Sequence, residues 1–387
     1  MYKQFIHLIL LTLLLPALWG CTGEEELVLP APEPVSLSLR LDVDKSNGAT
    51  PNEQIHTLRL ILINEDENSV EKISDEPIKP EALVKNLTKA SEGENENVEH
   101  NKYIYTVDNI ETTTGYKIIY AVANAEDKIN ELATGGRLSS LSGTELIEKL
   151  ESLQLSGKIE TTKGFIPISS RKNEFLITKE DKGKVISIDM VYAAVKFDLK
   201  IAQKEDTEKN QLTIIGWGIS ALADKSYLIP HIEDDEWTKL LKLSGTVDAT
   251  DWVFDYETAT KPEVHQTEYL CEPIEHKISS GDYTSSTVYW HESRSKEQVD
   301  LEKNAEGRPY VLSVKVRTQN MASVDPIILN GTLPNLRSLV RSTHVKMEAT
   351  IKSSLDEGEN YLEVRVLKWK ENGPIDGEWE EVEDTNK

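Results

Sequence analysis

The chain has 387 residues and a formal charge of −24 at pH 7, from 67 acidic and 43 basic side chains. So negative a protein disfavours nucleic acids and anionic lipid headgroups as partners, because both would repel it. A hydrophobic fraction of 38% is enough to fill ordinary cores, so the composition excludes global disorder, and the length favours two compact domains.

The first twenty residues have the layout of a secretory signal peptide. Lys3 precedes an apolar stretch, residues 5–19, which is shorter than the roughly 20 residues that a membrane-spanning helix needs. The stretch ends in Leu18-Trp19-Gly20-Cys21, which resembles a bacterial lipobox. This resemblance implies cleavage before Cys21 and acylation of its sulfur, giving a palmitate-bearing lipoprotein. The alternative is an ordinary secreted protein in which Cys21 has no role.

Residues 21–34 are predicted to form a lipidated tether. The sequence TGEEELVLPAPEP mixes acids with prolines, which is typical of an extended linker. Its acids resemble the surface-export signal of Bacteroidetes lipoproteins; alternatively, they only keep the tether solvated. Once Cys21 is acylated, Cys271 has no cysteine partner, so we predict no intramolecular disulfide.

The first strand is predicted by strict alternation in VSLSLRLDV, residues 35–43. Its apolar positions are Val35, Leu37, Leu39, Leu41 and Val43. A polar loop over 44–54 then leads to a second strand, HTLRLILI, residues 56–63, where the alternation gives way to a continuous apolar end. We therefore expect the first strand to be half-buried and the end of the second to be fully buried.

Short strands separated by polar turns follow along the rest of the chain. In the first half they are predicted at 103–108, 116–123, 174–178 and 184–190. Helices are predicted at 125–133 and 144–153, the latter with Thr144 as its N-cap. The strand pattern restarts near residue 191, with strands at 192–201, 211–218, 226–230, 286–290, 309–317, 344–351 and 361–369. This density predicts an all-β chain with minor α content, divided into β-sandwich domains at 35–190 and 191–387.

The sequence lacks the usual motifs of catalysis and metal binding. Its eight histidines are scattered, and it has no HExxH, CxxC, GxSxG or Gly-rich phosphate loop. Asp42, Asp44, Ser46 and Glu53 match positions 1, 3, 5 and 12 of a calcium loop, but Asn47 replaces the turn glycine. We therefore predict no catalytic residue, no metal site and no cofactor, and we do not expect an enzyme.

Seven tryptophans raise the alternative of a glycan-stacking platform on a surface lipoprotein. Trp217, Trp290 and Trp369 fall at or near predicted strand ends, where packing in a core or at a sheet edge is the commoner role for tryptophan. The glycan-binding alternative requires aromatic rings that are exposed together on one surface.

Seven segments in one order carry a family resemblance. They are IIYAVANA (118–125), GFIPISS (164–170), VYAAVKFDL (191–199), LTIIGWGISALADKSYL (212–228), YVLSVKVR (310–317), LVRSTHVKMEATI (339–351) and LEVRVLKWK (362–370). Together, behind a lipobox, they resemble the fimbrillins of Bacteroidetes type V pili, the Mfa-type and FimA-like fimbrial subunits. The resemblance implies two tandem transthyretin-like β-sandwich domains.

The same resemblance implies a structural pilus subunit that supports adhesion and assembles by donor-strand exchange. The lipidated precursor reaches the outer membrane, and a trypsin-like protease cuts the loop after the first strand. That strand leaves, and a strand from the C-terminal region of another fimbrial subunit takes its place in the cell-surface fimbrium. No nucleic acid takes part.

Transferred onto this sequence, the leaving strand is Val35 to Val43 and the cut falls in 44–54. The arginine expected in that loop is absent: Lys45 stands near its place, so the cut would free Ser46, and the nearest arginine, Arg40, lies within the strand. The donor residues would be Leu362, Val364, Val366 and Trp369, with Lys368 replacing the usual proline. The missing arginine leaves open an uncleaved fimbrial anchor or assembly lipoprotein.

Overall fold

The computed structural model describes stretches of the chain between the first predicted strand and the last. The described residues are 31–44, 51–66, 68–71, 102–133, 137–157, 159, 164–204, 212–220, 222–223, 225–231, 267–271, 273–278, 281–294, 310–318, 326–333, 338–351 and 362–366. The predictions for Cys21, Lys45, Ser46 and Trp369 fall outside these residues and stay predictions.

Strands dominate the described residues, which confirms the all-β class with minor α content. The strands of the first half are β1 (Pro34–Asp44), β2 (Leu58–Asn64), β3 (Ser69–Glu71), β4 (Lys102–Thr113), β5 (Gly115–Ala123), β6 (Gln154–Ser156), β7 (Ile168–Ser170), β8 (Asn173–Ile177) and β9 (Val185–Tyr192). Two helices lie between them, α1 (Glu126–Leu132) and α2 (Gly143–Glu151). Within the described residues, no helix is long and apolar enough to cross a membrane.

The second half of the chain is described as strands and short connections. These strands are β10 (Val195–Gln203), β11 (Leu212–Ser220), β12 (Lys225–Tyr227), β13 (Thr267–Cys271), β14 (His276–Lys277), β15 (Tyr283–Thr284), β16 (Val288–Trp290), β17 (Ser293–Arg294), β18 (Val311–Thr318), β19 (Ile327–Thr332), β20 (Ser338–Leu339), β21 (His344–Ile351) and β22 (Leu362–Val366).

One large sheet organises the first half of the chain. Its strands follow the order β3-β2-β5-β7-β9-β1-β4, and β8 also pairs with β5. The β1–β9 pair is parallel and the other pairs of this sheet are antiparallel. β1 thus lies inside the sheet, one strand from its edge.

β2 is buried along its whole length because the sheet carries a core on each side. On one side Leu60 packs in a core that includes Leu39 and Leu41 of β1. On the other side Ile61 packs in a second core with residues of both helices, among them Leu146. A strand buried on both faces has no polar row, which explains the continuous apolar end of its sequence.

Helix α2 corrects one prediction, since its N-cap is Ser142 and not Thr144. The Ser142 side chain accepts a hydrogen bond from the Glu145 N–H at 3.2 Å. Thr144 instead donates its hydroxyl to Asn68 Oδ1 at 2.9 Å. The helix begins earlier than predicted because serine is a strong N-cap that leaves the next residue, Gly143, as the first of the helix.

Two sheets enclose the core of the second half. One has the order β15-β10-β21-β22, with β16 also on β10, and the other has the order β13-β11-β18-β19, with β14 also on β11. Phe197 of β10, Trp217 of β11, Val314 of β18 and Met347 of β21 are buried in one cluster between them. Two sheets that share one core form a β-sandwich.

A segment of the second half completes the helix-covered core of the first. β12 pairs with β6, and the Leu228 N–H donates to Leu153 O at 2.8 Å. The Leu228 and Ile229 side chains are fully buried in the cluster that contains the helices. The Leu228 carbonyl accepts from Ser169 Oγ at 2.6 Å and from Arg341 Nη1 at 2.9 Å. The two halves are therefore joined by packing as well as by the chain.

Candidate functional site

β1 turns one row of side chains into the core. The inward row is Val35, Leu37, Leu39, Leu41 and Val43, with exposed fractions of 4%, 2%, 0%, 0% and 0%. The residues between them are half-buried. Since full burial of a large apolar side chain stabilises a fold by about 1.5–3 kcal/mol, this row is a major part of the first core.

β1 is paired along both of its edges. On one edge it runs parallel to β9, from the pair Ser38–Val185 to the pair Val43–Met190. On the other edge it runs antiparallel to β4, from Pro34–Thr113 to Asp44–Lys102. Among the described residues, β1 is the only strand that pairs with β4.

The loss of β1 would therefore open a gap one strand wide. The facing edges of β9 and β4 would expose unpaired N–H and C=O groups, and five pockets for alternate side chains would lie between them. Unpaired edges recruit another strand, and alternate pockets select its side chains. A replacement strand would have to run parallel to β9 and carry apolar residues at every second position.

A bulge in β4 fixes the register of this site. Leu37 pairs with Ile110 and Leu39 with Val107, so two residues of β4 lie opposite the single residue Ser38. Asn109 has φ 58°, a left-handed conformation that asparagine tolerates better than most residues. Such a bulge breaks the ladder at one position and limits slippage of the strand that pairs there.

A buried polar cluster, which we name the Glu53 junction, lies just beyond the loop that follows β1. It consists of Glu53, Tyr192, Lys196 and Tyr289. Glu53 is 2% exposed; its Oε1 is 2.9 Å from Lys196 Nζ and accepts a hydrogen bond from the Tyr289 hydroxyl at 2.7 Å. The Tyr192 hydroxyl donates to the Glu53 carbonyl at 3.0 Å. Lys196 and Tyr289 belong to β10 and β16, so the junction ties the end of the loop to the second half of the chain.

Burial in this region keeps the tyrosine hydroxyls protonated. It raises the pKa of Tyr192, and the negative charge of Glu53 raises that pKa further. The same two causes, in the same order, raise the pKa of Tyr103 on β4. These phenols therefore remain hydrogen-bond donors at physiological pH, as the contact from Tyr192 to Glu53 requires.

Asn124 fixes the residues that follow Glu53. It has φ 56°, and its Oδ1 accepts from the His56 N–H at 2.8 Å while its Nδ2 donates to Gln54 O at 2.8 Å and Ile166 O at 3.0 Å. The motif IIYAVANA pointed to a turn at this position and not to these contacts. The chain after the loop is thus held on both sides of Gln54, independently of β1.

Arg40 lies where the sequence puts it, inside β1. Its Nε is 2.8 Å from Asp42 Oδ1, and its backbone pairs with Thr106 on one side and Ser187 on the other. A protease needs an accessible, unpaired stretch of backbone, so Arg40 is a poor substrate while β1 stays in the sheet.

The C-terminal strand occupies an edge. β22 pairs antiparallel with β21, from Ile351–Leu362 to Met347–Val366. Leu362 and Val364 point into the second core, with exposed fractions of 6% and 8%. The Arg365 side chain is exposed. The structure thus places the proposed donor residues Leu362 and Val364 inside their own domain; the side chain of Val366 is not described.

The remaining chemistry of the described residues is structural. They contain no group of three or more His, Cys, Asp or Glu side chains that could hold a metal ion. Glu53, the twelfth position of the partial calcium loop, is instead engaged by Lys196. Trp217 is fully buried, and Trp290 is half-buried and donates its Nε1–H to Ala223 O at 2.7 Å. These two rings do not form an exposed platform.

Comparison with protein-family models finds no match, and comparison with curated proteins finds none either. Solved structures with a similar fold are Bacteroidetes fimbrial and cell adhesion proteins. A cell adhesion protein from Parabacteroides distasonis has a TM-score of 0.47 at 12% identity, over 90% of this chain and 100% of that one. A fimbrial assembly protein from the same species has a TM-score of 0.44 at 11% identity, over 84% and 94% of the two chains.

The tip fimbrial protein Mfa3 from Porphyromonas gingivalis, truncated at its C-terminus, has a TM-score of 0.45 at 10% identity, over 86% of this chain and 100% of that one. At these TM-scores and identities we base no argument about this chain on the likeness. The geometry of β1 and its surroundings has to support any function by itself.

Proposed function

We propose that this chain is a structural, non-enzymatic subunit of a cell-surface fimbrium, which assembles by donor-strand exchange and supports adhesion. The observation that carries the proposal is the position of β1. It is a strand at the start of the described chain, it fills a slot between β9 and β4 with five buried side chains, and a loop follows it directly. The sequence motifs that resemble fimbrillins support the same function.

The proposed route begins with a lipid-anchored precursor in the outer membrane. Acylated Cys21 holds the chain until a trypsin-like protease cuts after Lys45, which releases the tether together with β1. Two observations support Lys45 over Arg40: Arg40 is paired on both backbone edges, and Lys45 directly follows the last residue of β1. The Glu53 junction and Asn124 would keep the chain after the cut in place.

The strand that enters the slot is proposed to come from the C-terminal region of another copy or another fimbrial subunit. Leu362, Val364 and Val366 have the spacing of two that the pockets of β1 require. In the slot a strand gains two strand neighbours, whereas β22 has one neighbour among the described residues. The additional ladder and the burial of apolar side chains would drive the exchange.

We also propose two domains, 35–190 and 191–387, each a transthyretin-like sandwich. The hydrophobic clusters support this division, since the first holds Ala194 and the second begins at Val195. Leu228, Ile229 and Tyr289 cross the division and pack with the first half. Such interlocking suits a subunit that transmits tension from one neighbour to the next.

The first test is the mass and N-terminal sequence of the protein sheared from intact cells. We expect a start at Ser46 without lipid, and polymers that survive mild detergent as a ladder on a gel. Lys45→Ala should block this processing and leave acylated protein on the cell, while the matched variant Lys45→Arg should be processed normally. Surface material that all begins at acylated Cys21 would contradict the proposal.

One observation favours a second function, an uncleaved fimbrial anchor or assembly lipoprotein. The loop 45–50 contains no arginine, and Lys45 is its only basic residue. An anchor would keep β1 permanently and would accept no donor strand. The same N-terminal analysis separates the two functions, because the anchor predicts acylated Cys21 in polymer fractions.

A further inference from the structure

The second inference concerns how the C-terminal strand is held before it is donated, and it rests on the proposed function for that donor role. β22 lies at the edge of one sheet and also passes close to β19 of the other sheet. The point of approach is Gly331, a buried residue of β19. Its neighbours there are the Val364 side chain and the backbone of Leu362.

No side chain fits at position 331. A Cβ built there would lie 2.6 Å from Leu362 O and closer still to Val364 Cγ2, whereas real Cβ contacts stay above 3.0 Å. Since one of the clashing atoms is a backbone oxygen, a rotamer change of Val364 would not remove the conflict. The strand itself would have to move.

The backbone of Gly331 does not call for glycine by its conformation. Its φ lies outside the left-handed range that L-residues avoid, in contrast to Gly115 and Gly281, which have φ 120° and 127°. Close approach of another backbone is the other reason for glycine within a strand. Space for β22 is therefore the reason that this geometry supports.

We propose that Gly331 is a positioning residue that forms the seat of the C-terminal strand. In the precursor the seat holds Leu362 and Val364 in their own domain, so that the strand is not free to enter the slot of another subunit. Release of β22 from Gly331 is then a step that precedes donation, and the fit at this residue sets how often it occurs.

The test is amide hydrogen exchange of the Gly331→Ala variant of the chain without residues 1–21, as uncleaved protein. Because overpacking of a tight contact costs about one to two factors of ten in the closing equilibrium, we expect exchange in 362–366 to rise about tenfold or more. Exchange in β11 should stay near the wild-type rate. Unchanged exchange in 362–366 in a folded Gly331→Ala variant would overturn the proposal.

Two matched variants on the same strand separate the seat from general destabilisation. Thr332→Ala changes the next, exposed residue and should leave exchange in 362–366 unchanged. Leu329→Ala opens a cavity at a residue that is 1% exposed, and should raise exchange across the whole sandwich rather than in β22 alone. A selective rise in β22 with Leu329→Ala equal to that of Gly331→Ala would overturn the specific role of Gly331.

A second variant keeps the test decisive if Gly331→Ala does not fold. Val364→Ala keeps the glycine but removes the methyl groups that fill the seat, so it should also raise exchange in 362–366. Protection of β22 that is the same in Val364→Ala and in the wild type would contradict the seat.

Polymer formation tests the donor role separately. After cleavage at the loop, Gly331→Ala should form detergent-resistant ladders faster than the wild type, because its C-terminal strand is released more often. Faster exchange in β22 together with no ladder in any variant would leave the seat supported and would remove the proposed donor strand. Wild-type ladders with unchanged exchange in Gly331→Ala would support the fimbrial function and remove the seat.

Discussion

β1 and β22 carry the same apolar alternation and lie in very different surroundings. β1 spans Pro34–Asp44, pairs on both edges and buries five apolar side chains. β22 spans Leu362–Val366, has one paired edge among the described residues and buries Leu362 and Val364. The difference teaches that the number of strand neighbours, and not the alternation, decides how firmly a strand is held. Four predictions test this comparison, from the largest expected effect to the smallest.

The Glu53 junction should matter most, because it closes the β1 side with a buried charge pair. Glu53→Gln would leave the Lys196 ammonium buried without its counter-charge, which typically costs about 3–5 kcal/mol of unfolding free energy. Chemical denaturation of the purified protein measures this loss.

Asp282→Asn is the control for Glu53, since Asp282 pairs with Lys200 at 3.0 Å with both side chains about half exposed. We expect that control to change the free energy of unfolding by less than about 1 kcal/mol. Equal losses in Glu53→Gln and Asp282→Asn would show that the junction does not stabilise this end of the β1 site.

The two strands can be compared directly with the same substitution. Leu39→Ala in β1 and Leu362→Ala in β22 both remove a buried leucine, for which losses run from about 2 to 5 kcal/mol. We expect Leu39→Ala near the top of that range and Leu362→Ala near its bottom or below it, since an edge strand can shift to fill the cavity. Denaturation curves for both variants, with exposed Val185→Ala as a control, give the order; a larger loss for Leu362→Ala would reverse the comparison.

Acid should weaken the sheet that holds β22 through Asp198. Burial alone would raise the pKa of Asp198, but hydrogen bonds from His344 and Thr287 outweigh it, and the pKa is lowered. A carboxyl with a lowered pKa stabilises the fold above its unfolded value of about 3.9, and this contribution is lost as the pH falls through the folded-state pKa.

Asp198→Asn should therefore be less stable than the wild type at neutral pH, and the gap should close as the pH falls below about 4. Urea denaturation at a series of pH values measures the gap. A gap that stays constant down to pH 2 would exclude the proposed role of the carboxylate charge.

The smallest effects are expected on the outward rows of the two strands. Arg40 is paired with Asp42 at 2.8 Å, and Arg365 with Glu363 at 3.8 Å, and all four residues lie at least partly at the surface. Because exposed ion pairs contribute about 0–1 kcal/mol, Arg40→Ala and Arg365→Ala should each change the free energy of unfolding by less than that. A loss above this range for Arg40→Ala alone would show that the outward row of β1 is also part of its binding site.

Much of the fold was predictable because alternation and apolar runs are local signals. The alternation of residues 35–43 predicted β1 and its inward row, and the continuous apolar end of 56–63 predicted the burial of β2. β19 was not predicted, since IILNGT contains an asparagine and a glycine that disfavour strands when they are read alone.

The rest was decided by contacts between residues that are far apart in the chain. Glu53 looked like the last position of a partial calcium loop, and only the fold brings it to Lys196 and Tyr289. Gly331 looked like a turn residue, and only the packing of β22 on β19 shows why a side chain is excluded there.

The sequence by itself determined which residues form strands and which rows face inward, because side-chain alternation follows from backbone geometry. The tertiary structure alone decided that β1 has two strand neighbours and that β22 lies at an edge, because strand pairing depends on contacts across the whole chain.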